Sequence, residues 1–294
     1  MVTGASGFIG RETVARLIAR GFEVDAIGRS PVAQQGCRDH YCDLLTDDVD
    51  TLLREIAPSH LLHLAWYAVP GKFWTAPDNL DWLGASLRLV RTFAAAGGTR
   101  VVVAGSCAEY DWSIPLLDEA TTALRPGTLY GRTKVALFET LTAAAPVLGI
   151  KLGWGRVFFP FGPFEARGRL LSDVVDGVVA GRRVACSDGL QSRDFLHVED
   201  VAAAFAAFVD SDVDGPVNIA SGTTTTVRDL VERAAGLAGD ASLIDWGARP
   251  RQPGEPLVMA AATHRLRDEV GAVPRWMLAA GIADMVARRT ARAA

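Results

Sequence analysis

Three glycines at the start of the chain constrain its fold more than any other feature. Gly4, Gly7 and Gly10 stand at three-residue spacing, and the amphipathic stretch 12–19 follows them. The pattern predicts a strand, a tight turn and the start of a helix, in which backbone N–H groups can approach a pyrophosphate. Only three residues precede the turn, whereas a strand in a sheet normally has about five or six. We therefore expect either an unusually short first strand or further residues upstream of Met1.

Alternating apolar and helical segments continue from this turn to about residue 160. The expected strands are 22–27, 40–44, 60–66, 100–106 and 151–159, and the expected helices are 47–57, 77–96 and 128–148. Such alternation is typical of a parallel sheet covered by helices on both faces. It predicts an α/β fold with a Rossmann-type doubly wound sheet.

After residue 160 the alternation becomes irregular. We expect helices at 170–180, 226–237 and 276–292, extended segments at 183–186, 217–220 and 242–246, and a basic, proline-rich loop at 249–255. No low-complexity linker separates the two parts. The sequence therefore predicts a nucleotide-binding domain at 1–160 and a smaller, interleaved C-terminal region at 161–294. A segment near 195–222 is expected to return to the first domain.

Composition argues against several classes of protein. The 294 residues carry a net charge of −4 without a basic cluster, so we expect no nucleic-acid partner. No apolar run is long enough to cross a bilayer and no signal peptide precedes the first motif, which predicts a cytoplasmic protein without a membrane partner. The cysteines lack the spacing of metal ligands, so we expect neither a metal nor disulfides. They are Cys37, Cys42, Cys107 and Cys186.

Tyr130 and Lys134 are four residues apart in a predicted helix and therefore lie on one face, a turn apart. A nearby cation lowers a tyrosine pKa from about 10, so we expect the phenol to exchange a proton near neutral pH. The chain has only 3 lysines against 27 arginines. A lysine here indicates a requirement for a compact ammonium group. The pair predicts an acid/base site.

The end of the second predicted strand bears on which dinucleotide binds. An acidic residue at this position usually binds a ribose 2′-hydroxyl, whereas an arginine accommodates a 2′-phosphate. The residues here are Arg29 and Ser30, with no acid beside them. The sequence therefore favours NADP(H), and NAD(H) stays possible. Asp43, at the end of the third predicted strand, is a candidate for contacting the adenine.

Two further strand ends carry candidate residues, because ligands bind beyond the carboxyl ends of parallel strands. The aromatic-rich loop 66–74 follows the fourth strand. Its rings either shield a reacting site from water or simply pack on the next helix. Ser106 ends the fifth strand and can hydrogen-bond a substrate oxygen. It comes close to Tyr130 if the helix at 128–148 packs back beside this strand, as in a βαβ unit.

The glycine turn, Ser106, Tyr130, Lys134 and the segment 193–200 together resemble the extended short-chain dehydrogenases/reductases over nearly the whole chain. This is the superfamily of nucleotide-sugar epimerases, dehydratases and reductases. The resemblance implies a nicotinamide dinucleotide, a nucleotide-sugar substrate and a homodimer. It implies that Tyr130 is the acid/base at the sugar oxygen. Lys134 would hold the nicotinamide ribose, and Ser106 would align the oxygen.

The resemblance also assigns contact residues along the cleft. Arg193, with Arg249 or Arg251, would grip the diphosphate of the substrate. Cys107 and Phe159 would border the substrate. The residues expected around the cofactor are Gly4, Ser6, Gly7, Phe8, Ile9, Gly10, Arg29, Ser30, Asp43, Leu44, Leu64, Ala65, Trp66, Tyr130, Lys134 and Phe158.

Departures from the family narrow the expected reaction. In its 4,6-dehydratases an Asp-Glu pair follows the active-site hydroxyl residue, but here Cys107 and Ala108 stand there and cannot move those protons. The segment 105–110 resembles the Gly-Ser-x-x-Glu-Tyr segment of 4-keto-6-deoxy-sugar reductases. We therefore expect NADPH-dependent reduction of a nucleotide-linked 4-keto-deoxysugar, in deoxysugar biosynthesis. The alternatives are an NAD-dependent nucleotide-sugar 4-epimerase and a non-catalytic, cofactor-dependent binding protein.

Overall fold

The computed structural model describes residues 1–251 and 254–293. The strands in these ranges are β1 (Val2–Thr3), β2 (Val24–Gly28), β3 (Cys37–Tyr41), β4 (His60–His63), β5 (Arg100–Ser106), β6 (Leu116–Leu117), β7 (Lys151–Val157), β8 (Phe159–Phe161), β9 (Val184–Ala185), β10 (Ser192–Arg193), β11 (Phe195–His197), β12 (Gly215–Ile219), β13 (Thr225–Thr226), β14 (Ile244–Asp245) and β15 (Val258–Ala261). The α-helices are α1 (Phe8–Ala19), α2 (Val49–Ile56), α3 (Asp78–Ala95), α4 (Leu129–Leu148), α5 (Leu170–Val179), α6 (Val198–Asp210), α7 (Val227–Ala238) and α8 (Leu278–Ala293).

A seven-stranded parallel sheet forms the centre of the molecule, in the order β12-β7-β5-β4-β1-β2-β3. Helices flank the sheet, so the predicted α/β, Rossmann-type fold is confirmed. The strand order reverses between β1 and β4, where the carboxyl ends of neighbouring strands diverge to form a crevice. The first strand is as short as expected. Its pairing is extended by bonds from Leu62 N to the Met1 carbonyl and from Leu64 N to the Thr3 carbonyl, at 2.9 and 3.2 Å.

Several elements differ from the sequence-based expectation at their ends. The strand expected at 60–66 ends at His63, three residues earlier than predicted. The strand expected at 151–159 divides after Val157: β7 stays in the central sheet, whereas β8 pairs with β11 in a separate two-stranded sheet. The third strand is β3, at 37–41 rather than 40–44, in register with β2.

The chain returns to the central sheet through β11, α6 and β12. β12 pairs with β7 along its whole length, and α6 packs on α1. Helices α5, α7 and α8 enclose a separate apolar core with β9 and β14. Short pieces that the sequence did not indicate, among them β15 between β10 and β6, connect this region to the rest. The division into domains at residue 160 stays a prediction.

None of the helices in the ranges 1–251 and 254–293 is long and apolar enough to span a membrane.

Candidate active site

Ser106 stands at the carboxyl end of β5, where the chain turns into a short 3₁₀ helix, Cys107–Glu109. Its hydroxyl accepts from the backbone N–H of Ala108 at 3.2 Å, and its own N–H donates to the Glu109 carboxylate at 2.7 Å. These reciprocal bonds form a capping box. They fix the orientation of the Ser106 side chain at the strand end.

Helix α4 approaches this turn closely because residue 131 is a glycine. A Cβ at Gly131 would overlap the carbonyl oxygen of Ala108. The Thr128 hydroxyl caps the helix by accepting from the Gly131 N–H at 3.1 Å. The close approach brings the phenol of Tyr130, in the first turn of α4, near enough to the Ser106 side chain to interact with it. The two predicted groups are therefore brought together.

Aromatic rings from the loop 66–74 cover Tyr130. The ring centroids of Phe73 and Trp74 lie 5.0 and 5.9 Å from that of Tyr130, both in edge-to-face geometry. Burial raises the pKa of the phenol above its usual value, and the interaction with Ser106 only partly opposes this. The expectation that the protein brings this pKa toward neutrality is therefore wrong, because desolvation dominates. Burial favours the neutral phenol, whereas the interactions with Ser106 and Arg169 favour the phenolate.

Lys134 is held at the floor of the cleft. Its side chain is almost fully buried, and Nζ donates to the carbonyl oxygen of Ala104 at 2.9 Å. The same atom lies 3.7 Å from the centroid of the Trp66 ring, which is fixed by a 2.8 Å bond from its indole N–H to Asn79. Burial lowers the pKa of the ammonium, whereas the ring face favours its charged form. At least one of its three N–H donors stays available for a ligand.

The residues that follow Cys107 and Ala108 in this segment face the interior. The Glu109 carboxylate is fully buried and pairs with the Arg156 guanidinium at 2.7 Å. The Tyr110 hydroxyl donates to the side-chain oxygen of Asn218 at 2.7 Å and accepts from Arg156 at 3.0 Å. These buried bonds stabilise the turn at Ser106. The Glu-Tyr pair that resembles the reductases is therefore structural, since both side chains are buried and bonded to other residues of the protein.

The predicted dinucleotide turn joins β1 to α1. Gly4 has a φ of +69°, and a Cβ there would lie 2.7 Å from the backbone nitrogen of Ala65. A Cβ at Gly10 would overlap the carbonyl oxygen of Gly4. Gly7 is the N-cap of α1 and has no side chain with which to cap the first N–H groups of that helix. The turn thus has the close approach and the open helix N-terminus that fit the pyrophosphate of NAD(P). The other predicted contacts in this turn are Ser6, Phe8 and Ile9.

The residues predicted at the adenosine end lie at the ends of β2 and β3. Arg29 and Ser30 are exposed, and the Arg29 guanidinium lies 3.8 Å from the Asp43 carboxylate. Leu44 is buried in one apolar core, whereas Leu64, just after β4, is partly buried against another. An arginine and an acid thus lie together at this strand edge. The arrangement is compatible with either a 2′-phosphate or a free 2′-hydroxyl.

Among the predicted diphosphate-binding arginines, Arg193 lies beside Ser106 and its neighbours. It is almost fully buried and pairs with Glu255 at 2.6 Å. Its charge acts on the Cys107 thiol, and its guanidinium lies 5.6 Å from the centroid of the Phe159 ring. Phe158 packs in the same cluster as Cys107. These residues form one wall of the cleft.

Arg249 and Arg251 make their observed contacts away from the wall that Arg193 forms. The Arg249 N–H donates to the carbonyl oxygen of Cys186, and Arg251 forms an ion pair with Asp188 at 3.2 Å. Both contacts lie next to the two-stranded sheet of β9 and β14. The remainder of the predicted basic loop includes Gln252 and Pro253, which lie outside the described residues.

Sequence reasoning missed Arg169, which reaches the site from the loop before α5. Its guanidinium lies 5.4 Å from the centroid of the Phe73 ring, and its charge acts on the phenol of Tyr130. No motif marks this residue in a chain with 27 arginines. Its position depends on a tertiary contact between two loops distant in the sequence.

The parallel sheet, the glycine turn and the grouping of Ser106, Tyr130 and Lys134 define a Rossmann-type protein with acid/base groups at its ligand-binding edge. The model of the NAD dependent epimerase/dehydratase family matches residues 1–220. The chain belongs to this family, which confirms the resemblance to the nucleotide-sugar branch of the extended short-chain dehydrogenases/reductases.

Sequence relatives and solved structures align with most of this chain. The UDP-glucose 4-epimerase of Corynebacterium glutamicum is 24% identical over 301 residues, which cover 93% of this chain and 90% of the relative. The dTDP-6-deoxy-L-talose 4-dehydrogenase (NAD(+)) of Aggregatibacter actinomycetemcomitans is 26% identical over 239 residues, covering 79% of this chain and 87% of the relative. The solved structure of MoeE5 in complex with UDP-glucuronic acid and NAD has a TM-score of 0.84 and 28% identity, over 100% of this chain and 99% of that one.

Proposed function

We propose that the protein is an NAD-dependent nucleotide-sugar 4-epimerase. The observation that carries the proposal is a single proton-transferring group, Tyr130, placed beside Ser106 at the carboxyl end of β5. The similarity to the UDP-glucose 4-epimerase of C. glutamicum over 93% of this chain supports the same assignment. The reductase expected from the sequence has less support, because relatives that match most of the chain are UDP-glucose 4-epimerases.

The groups of the chain have distinct roles in this reaction. Tyr130 takes the proton of the sugar C4 hydroxyl and later returns it, while Ser106 aligns the same oxygen. The interaction with Ser106 and the charge of Arg169 favour the phenolate that the first step needs, and burial favours the phenol that the second step needs. Lys134 would hold the nicotinamide ribose. Bound NAD would accept the hydride from the sugar C4 and return it to the opposite face of that carbon, which inverts C4.

A dehydratase is a poor fit to the same site. That reaction needs further acid/base groups next to Ser106, where this chain has Cys107 and Ala108. Burial raises the pKa of the Cys107 thiol to about 12, so the thiol is not a useful base at neutral pH. Alanine has no titratable group. The chemistry supported by the site is therefore confined to the C4 position.

Reduction of a 4-keto sugar is the second candidate, and one observation favours it. Arg29 and Ser30 stand exposed at the end of β2, where they could accept the 2′-phosphate of NADPH. The similarity to a dTDP-6-deoxy-L-talose 4-dehydrogenase is compatible with this chemistry. The Asp43 carboxylate beside Arg29 weakens the argument, because it opposes the charge of a phosphate.

An assay without added reductant tests the proposal. The purified protein, supplied with NAD, is incubated separately with UDP-glucose, UDP-galactose and UDP-glucuronic acid, and the products are separated by chromatography. Interconversion of C4 epimers without net change in cofactor absorbance is expected. Stoichiometric NADPH oxidation with an NDP-4-keto-6-deoxy sugar, and no epimer formation, would support the reductase instead.

Two further properties stay predictions. We propose a homodimer formed through the long helices α3 and α4, which light scattering coupled to size exclusion tests. We also keep the expectation of a cytoplasmic protein, which fractionation of the source cells tests.

A further inference from the structure

The indole ring of Trp66 lies on the buried ammonium group of Lys134. The ring centroid is 3.7 Å from Nζ, which also donates to the carbonyl oxygen of Ala104 at 2.9 Å. Lys134 is only 3% exposed, so water cannot solvate its charge as it does at the surface. A cation this close to an indole face is attracted by the ring quadrupole, most strongly where water is excluded. The ring therefore replaces part of the solvation that Lys134 loses on burial.

Hydrogen bonds hold the Trp66 ring in this position. Its indole N–H donates to the side-chain oxygen of Asn79 at 2.8 Å, and Asn79 is fully buried. The amide nitrogen of Asn79 donates in turn to the carbonyl oxygens of Phe73 and Ala76, both at 2.8 Å. These bonds tie the ring to the first turn of α3 and to the end of the aromatic loop. The indole cannot turn away from Lys134 without losing its bond to Asn79.

Two titratable groups on other elements interact electrostatically with Lys134. The Glu109 carboxylate, in the turn after β5, favours the charged lysine, but it is already paired with Arg156 at 2.7 Å. His63, in β4, is uncharged at neutral pH because burial lowers its pKa to about 3. Tyr130, one turn away on α4, is a phenol whose burial favours its neutral form. Burial lowers the pKa of Lys134, and the indole ring at 3.7 Å opposes that shift.

The charge on Lys134 matters to the proposed chemistry. A cation near the phenol of Tyr130 favours the phenolate that takes the proton of the sugar C4 hydroxyl. A neutral amine would lose this effect, and it would bind the nicotinamide ribose through a weaker, uncharged hydrogen bond. A residue that keeps the amine protonated therefore supports both roles of Lys134.

We propose that Trp66 is a positioning residue that keeps Lys134 protonated and in place by presenting the face of its indole ring to Nζ. The catalytic consequence rests on the proposed function, because it needs Tyr130 to transfer a proton at the sugar C4 oxygen. The effect on Lys134 itself does not depend on the substrate, so it can be measured separately.

The chain suits a direct test because it has only 3 lysines. NAD-supplied protein labelled with carbon-13 at the lysine ε carbon gives one NMR signal for each, and Lys72→Arg and Lys151→Arg identify the two exposed ones. Tryptophan analogues with one, two or three ring fluorines are placed at Trp66 by nonsense suppression. Fluorine withdraws electron density from the ring face but barely changes the shape of the ring, so the burial of Lys134 is kept.

We expect the pKa of Lys134 to fall stepwise with each fluorine, by about 0.5–1.5 pH units for three. The signals of Lys72 and Lys151 should titrate as before. The same analogues at Trp246, whose ring lies 4.2 Å from the Arg228 guanidinium, are the control and should leave Lys134 unchanged. In the epimerase assay, the pH at which kcat/KM declines on the alkaline side should fall with the pKa of Lys134.

Two outcomes would overturn the inference. A pKa of Lys134 that stays the same across the fluorinated series would mean that the Trp66 ring only fills space. An equal shift from the analogues at Trp246 would mean that the effect does not come from the contact with Nζ. A shift in the NMR titration without a shift in the kinetic profile would contradict the proposed function alone. If the protein does not epimerise any nucleotide sugar, the NMR titration still decides the inference.

Discussion

The floor of the site and the loops that cover it are built in opposite ways. In the floor, buried polar groups are satisfied by partners: Glu109 by Arg156, and Lys134 by Ala104 and Trp66. In the cover, the contacts with Tyr130 come from aromatic rings, and the Arg169 guanidinium lies against one of these rings. The difference indicates a division of labour. The floor holds its polar groups through specific partners, whereas the rings of the cover bury the phenol of Tyr130.

The largest expected effect comes from removing the phenol at the boundary of the two regions. Tyr130→Phe should lower kcat by about 10²–10⁴, the usual contribution of a positioned acid/base group. The aromatic packing stays, so the affinity for NAD should change little. Steady-state kinetics and cofactor titration check both points. Tyr41→Phe, at a position 79% exposed on β3, is the control and should leave turnover intact. Turnover within threefold of wild type in Tyr130→Phe would remove Tyr130 from the mechanism.

Breaking the floor should chiefly affect stability. Glu109→Gln removes the charge that balances the buried Arg156 guanidinium, and the loss of one partner of a buried pair costs about 3–5 kcal/mol. The free energy of unfolding from urea titrations measures the change. Glu139→Gln, on the exposed face of α4, should change it by less than about 0.5 kcal/mol. A similar small change for Glu109→Gln would show that the floor is not built on this pair.

A smaller effect is expected from a substitution at the close contact between α4 and the turn after Ser106. Gly131→Ala places a methyl group against the Ala108 carbonyl, and such overpacking typically costs about 1–3 kcal/mol. Because the helix must move away from Ser106, kcat should fall together with stability. Gly84→Ala is the matched control, since open space surrounds that exposed position of α3. An active Gly131→Ala protein with wild-type stability would contradict the role of this close approach.

The smallest effect, over the range from pH 7 to 5.5, is a pH dependence of stability that arises at His63. Burial lowers the pKa of His63 to about 3, and its ring nitrogens bond to Thr3 and Ser86 at 2.7 and 2.8 Å. Below the ordinary histidine pKa of about 6.5 the unfolded chain gains a proton that the folded chain refuses. The contribution of His63 to the free energy of unfolding is therefore complete above about pH 6.5. It falls by up to about 1.4 kcal/mol per pH unit toward pH 3.

Urea titrations at pH 7 and 5.5 measure this slope. His63→Asn should make it shallower by up to one proton, and His264→Asn, at an exposed position, should not. Equal slopes in wild type and His63→Asn would show that His63 titrates normally in the folded protein.

The same contrast explains what the sequence could predict. The sequence predicts β5 at its observed bounds and α4 within one residue of its own. An apolar run marks β5 and Gly149 follows the end of α4, and both are local signals. The glycine turn and the grouping of Ser106 with Tyr130 followed from the alternating pattern. The prediction of a lowered pKa for Tyr130 is wrong, because the rings that bury the phenol come from a loop about 60 residues earlier. The sequence does not predict the position of Arg169 or the strand β15 for a related reason, since each depends on contacts with distant segments.

One isotope measurement tests the central claim most directly. NAD-supplied protein is incubated with UDP-glucose and UDP-glucuronic acid that carry deuterium at C4, and the C4 epimers are analysed by mass spectrometry and NMR. We expect epimerised product that retains the deuterium at C4, with no accumulation of reduced cofactor. Absence of any C4 epimer, together with NADPH-dependent reduction of a 4-keto sugar nucleotide, would contradict the account.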